Sequence, residues 1–75
     1  MNYKVNDVKK ELEEVFIAMQ PGDTAEVEYT LPNVARVRIL ASAINKSYTV
    51  SDGNRKYRTS TFRRDAGIVD IYRIE

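Results

Sequence analysis

The sequence predicts an α+β fold: a small two-layer domain in which a helix–strand–helix unit precedes an antiparallel β-hairpin or meander. Three observations predict it. Apolar residues recur at helical spacing over 8–19, and they alternate at a period of two over 25–31. Near the C-terminus, Asp52-Gly53 and Gly67 flank two runs rich in β-formers, the punctuation of antiparallel pairing. Seventy-five residues make one domain, 1–75, with a thin core.

Asn6 and Asp7 supply a capping side chain and a first-turn acid, so a helix is expected over 7–19. Val8, Leu12, Val15, Phe16 and Met19 form its apolar stripe, and Pro21-Gly22-Asp23 ends it. In TAEVEYTL, Ala25, Val27, Tyr29 and Leu31 alternate with Glu26, Glu28 and Thr30, which predicts a half-buried strand over 25–31. Pro32-Asn33 breaks it. Residues 34–46 read best as a second helix burying Val37, Leu40, Ala41 and Ile44, with Asn33 as cap. The competing reading extends 34–44 and pairs it with 25–31 as a hairpin. A short strand at 48–51, the Asp-Gly turn, and strands at 55–62 and 68–74 complete the order.

A three-residue loop at Asp65-Ala66-Gly67 sets Arg64 opposite Ile68 and Arg58 opposite Ile74, with Gly67 supplying the positive φ. Burying an unpaired mid-strand charge is costly, so Arg58 and Asp70 belong outside, and Tyr57, Val69 and Ile71 inside under the helices. The expected core is therefore Val8, Leu12, Val15, Phe16, Met19, Val27, Tyr29, Leu31, Val37, Leu40, Ala41, Ile44, Val69 and Ile71.

Composition narrows the chemistry. With no Cys and no His, disulfides and thiolate or imidazole metal sites are excluded. Glu11 and Glu14 lie beside Lys9 and Lys10 as a solvated helix surface, and Asp52-Gly53-Asn54 lacks the other oxygen ligands of a calcium loop. No serine has a histidine base, and isolated glycines do not make a phosphate loop. The expectation is a non-enzymatic protein with no catalytic residue, metal or cofactor. No apolar run is long enough to span a bilayer, and the N-terminus lacks a signal-peptide pattern, so a soluble cytoplasmic protein is expected.

Charge is unevenly spread. Residues 1–31 hold three cations against seven acids, and residues 32–75 hold nine against four. The excess concentrates in RKYRTSTFRR, where the outward face carries Lys56, Arg58, Ser60 and Phe62 beside Tyr72, rimmed by Arg55, Arg63 and Arg64. Cations contact phosphates and aromatic rings stack on bases, so this hairpin is a candidate site for DNA or RNA. Glu26 and Glu28 oppose that reading: placed on the same face, they would cancel much of its field. The alternative is a protein–protein adaptor, with a homodimer as one form of it, using Ile39 on the outward side of the second helix among Arg36, Arg38 and Lys46.

In the segments PGD–AEVEY, VARVRILASAIN, RKYRTST and DIYRIE, the chain resembles short uncharacterised proteins of phages and other mobile elements. The resemblance covers residues 21–75 and implies a mobile-element origin and a helix over 34–46. It carries no known activity and no functional residues.

Overall fold

Asp7 does what its side chain suits it to do: its carboxylate accepts from the N–H groups of Lys9 and Lys10 at the head of helix α1 (Val8–Ala18). Glu11 reaches back to the N–H groups of Asn6 and Asp7 at 2.8 and 3.0 Å, a reciprocal capping arrangement. These bonds hold the Glu11 carboxyl below its ordinary range, with Asp7 contributing most. The computed structural model describes residues 1–51 and 56–75, with side chains described for 1–46 and 56–75.

Strand β1 (Asn2–Val5) precedes α1 and pairs in parallel with β2 (Thr24–Glu28), Asn2 opposite Thr24 and Val5 opposite Val27. A parallel pair needs a crossover, and α1 is that crossover. Sequence reading missed β1, because four residues carry too short an alternation to register. After β2 comes α2 (Leu31–Ser51), then β3 (Tyr57–Ser60), a 3₁₀ turn (Arg64–Ala66) and β4 (Ile68–Arg73). The sheet order is β1-β2-β4-β3, with β4 antiparallel to both neighbours.

The predicted α+β architecture holds: two helices pack against one four-stranded sheet. The helical reading of 34–46 is correct but short. Helix α2 begins at Leu31, because Pro32 sits in the first turn, where a missing N–H costs nothing, and Thr30 Oγ1 accepts from Asn33 N–H at 3.1 Å. The expected strand 25–31 accordingly ends at Glu28. Leu31 is 77% exposed on the helix end rather than in the core. The helix also runs through 48–51, where a short strand was expected. The predicted Asp52-Gly53 turn and the start of the strand at Arg55 lie outside the described residues.

The inward sheet face carries Val5, Ala25, Val27, Val69, Ile71 and Tyr57, packed beneath Leu12, Phe16 and Met19 of the first helical segment and Val34, Val37, Ala41 and Ile44 of α2. Tyr57 meets Phe16 edge-on at 4.7 Å between ring centroids, and its hydroxyl donates to the Phe16 carbonyl. That bond lets a polar ring tip be buried without an unsatisfied group. Val8, Val15, Tyr29 and Leu40, expected in the core, are half-buried and pack against its margin.

Candidate nucleic-acid interface

Strand order makes β3 an edge strand, and register decides what stands beside it. Arg58 lies opposite Tyr72, and Ser60 opposite Asp70. The predicted partners, Ile74 and Tyr72 respectively, are each two residues away. The reason is the loop. Strand β3 stops at Ser60, and residues 61–67 wind through the 3₁₀ turn instead of closing in three residues. Gly67 still takes the left-handed φ of +77° expected of it. A shift of two leaves every side chain on its own face, so Tyr57, Val69 and Ile71 point inward as predicted.

The open face of the sheet, opposite the helices, carries two cross-strand rows. One runs Arg58, Tyr72, Thr24, Asn2; the other runs Ser60, Asp70, Glu26, Lys4. β2 therefore does lie beside the hairpin, and Glu26 shares its face. Arg63 spans this second row. Its guanidinium grips Asp70 as a fork, Nε donating to Oδ2 at 2.9 Å and Nη2 to Oδ1, and Nη2 also donates to Glu26 Oε1 at 2.9 Å. Asn2 Nδ2 donates to the other Glu26 oxygen at 2.8 Å, and Thr24 Oγ1 donates to Asn2 Oδ1 at 2.8 Å. The network holds the Glu26 carboxyl below its ordinary range, through Asn2 first and Arg63 next, and raises the Arg63 guanidinium above its own, through Asp70 first.

The predicted site residues thus divide. Arg58 and Tyr72 are neighbours on the open face, with Tyr72 38% exposed, and Lys56 is exposed one step beyond β3. Phe62, at 92% exposure, and Arg64 project from the loop, away from the Arg58–Tyr72 pair by sequence and register. Arg63 is drawn onto two carboxylates. Arg55 lies outside the described residues. Among the described residues, Lys56, Arg58 and Arg64 have no side-chain ion pair.

Sequence reasoning missed a second cluster. Helix α2 and the edge strand β3 enclose a cleft of about 430 Å³ whose walls include Arg38, Ser42, Asn45, Lys46, Tyr57 and Thr59. A signal was present, since the whole span 31–51 contains three cations and no acid. Its significance depended on β3 packing beside that helix. Within the cleft, Asn45 accepts from Tyr57 N–H at 2.8 Å and donates to Tyr57 C=O at 3.1 Å.

Among the described residues, no group of three metal-ligating side chains occurs and no helix is long and apolar enough to cross a membrane. Compared with protein-family models, curated proteins and solved structures, the chain matches none.

Proposed function

We propose that this protein is a small non-enzymatic module that binds nucleic acid, DNA or RNA, through its C-terminal hairpin. The observation that carries the reading is the edge strand. Arg58, exposed and unpaired among the described residues, stands beside Tyr72 on the open face, with Lys56 next along the chain. A cation next to an aromatic ring on an uncovered sheet is suited to phosphate contact and base stacking together. Phe62 and Arg64 add a second aromatic–cation pair on the loop. Arg63 contributes by offsetting part of the negative charge of Glu26 and Asp70, the acids that would otherwise repel phosphate more strongly, rather than by touching it. The mobile-element origin implied by the sequence resemblance belongs to the same reading.

Titration with short duplex and single-stranded DNA and RNA at two salt concentrations tests it. Binding weakens steeply as salt rises, and Arg58→Ala or Arg64→Ala each lowers the salt slope by about one. Absence of binding at low salt sinks the reading.

One observation favours protein contact instead. Ile39 is 70% exposed beside a groove of about 290 Å³ between the helices, floored by Val8, Leu12, Leu40 and Ala43. In that reading the protein is an adaptor, with a second copy as its simplest partner. Sedimentation of wild type against Ile39→Lys separates the two, since a strict monomer at high concentration removes the homodimer.

A further inference from the structure

The geometry points to the α2–β3 cleft as a binding site for a phosphodiester chain, with Arg38, Ser42, Lys46 and the Thr59 backbone N–H as its contacts. The inference rests on the nucleic-acid reading and moves the main phosphate contacts from the open sheet face to the sheet's edge.

Four features of the cleft support the assignment. Its described walls hold two cations and no acid. The groove between the helices mixes Glu13 with Lys9 and Arg36, and the concavity beside β1 and β2 sets Glu26 and Glu28 against Lys4, so of these three only this cleft has cations and no acid among its described walls.

Next, a backbone donor faces into it. Ile74 N–H donates to Lys56 C=O at 2.8 Å, so Lys56 is on the bonded side of the β3–β4 ladder. Bonded positions recur at every second residue, so Tyr57 and Thr59 turn their N–H and C=O away from β4. Asn45 meets both groups of Tyr57, as that alternation requires. Thr59 is the next such position, and it lines the same cleft as Arg38 and Ser42.

The spacing of the cations selects the ligand's length. Arg38 and Lys46 stand eight residues apart on one helix, roughly 12 Å along its axis at 1.5 Å per residue. A lone anion reaches one of them, whereas a chain of repeated phosphates reaches both.

Finally, the edge is closed to the obvious competitor. An extended acidic peptide would add to β3 as a fifth strand, but Asn45 already occupies the Tyr57 rung, and among the described residues of β3 only the Thr59 rung is left open. Phosphate oxygens need donors, and Arg38, Ser42, Lys46 and Thr59 N–H supply them, whereas the Thr59 C=O is the only rung acceptor left among the described residues of β3. From the other side of the same edge, Lys56 and Arg58 extend the cationic track onto the open face.

Amide and arginine side-chain NMR on the full ¹⁵N-labelled chain tests the site, with single-stranded DNA, inorganic phosphate and polyglutamate as separate probes. The DNA is expected to move the Thr59 and Ser42 amides and the Arg38 Nε–H saturably, and inorganic phosphate to move them only at far higher concentration. Arg38→Ala, an exposed substitution that leaves the core intact, should lower the salt slope of DNA binding by about one. DNA binding that persists in Arg38→Ala with an unmoved Thr59 amide overturns the cleft while the hairpin reading stands. Failure of the wild type to bind at low salt overturns both. Polyglutamate saturating the cleft as readily as DNA would assign it to acidic polypeptide instead.

Discussion

Val69 and Asp70 are consecutive residues of β4 on opposite faces of the sheet, and they are buried almost equally, at 1% and 3% exposure. The means differ. Val69 lies in the shared apolar core with Val27, Ile71 and Phe16, where many contacts each contribute a little. Asp70 is covered by one guanidinium brought across from the loop. One face is held by non-directional burial spread over two helices. The other is held by a chain of directional bonds from Thr24 through Asn2, Glu26 and Arg63 to Asp70. The comparison teaches that a side chain on an uncovered sheet face can be buried without a covering layer, at the cost of depending on single partners.

The largest expected effect lies on the covered face. Phe16→Ala removes a fully buried ring that packs on Tyr57, and it should cost about 3–5 kcal/mol in denaturant unfolding. A loss near the ordinary ~1 kcal/mol of point substitutions would mean the helices are not the main support of the sheet.

The open face should break asymmetrically. Arg63→Ala strands a carboxylate in a buried position, whereas Asp70→Asn leaves a guanidinium that is nearly half exposed and still has Glu26. Arg63→Ala is therefore the more destabilising of the two. Adding Asp70→Asn to it should recover stability, because the stranded charge is then gone. Thermal midpoints of the three variants decide it; additive losses would refute the buried-charge account.

The smallest effect separates the faces by pH. Glu26 and Glu11 have carboxyls held below their ordinary value of 4.5 in the folded chain. A depressed folded pKa contributes stability that is complete above the unfolded value and is lost as pH falls through the folded one. Unfolding midpoints should therefore be flat above pH 4.5 with respect to these groups and decline below it. Glu26→Gln should shallow that decline, while Val69→Ala should shift the curve without changing its shape. An unchanged profile in Glu26→Gln would remove the open-face network as a source of acid sensitivity.

Much of the covered face was legible because its signals are local. The stripe Leu12, Phe16, Met19 fixes a helix and its buried side within a few turns, and Gly67 announces its own left-handed φ. What sequence could not supply were long-range events. Strand β1 has only Tyr3 and Val5 to mark an inward side, and its partner lies across the α1 crossover. Leu31 continues the alternation of β2 and yet opens α2, since Thr30 and Pro32 favour a helix start at the same place. The site was less legible for the same reason. Arg63 looks like any other cation in a basic run, and its engagement with Asp70 and Glu26 follows only from where the loop and β2 lie. Arg38 and Lys46 became part of a cleft only when β3 packed beside α2.

Asn45 has a consequence for the molecule's society with others of its kind. An edge strand is a template: each outward N–H and C=O invites another chain, and the addition can repeat without limit. By filling the Tyr57 rung with a side-chain amide, α2 interrupts that template from within the same molecule. A strand added at this edge would therefore have to displace Asn45 from the Tyr57 rung.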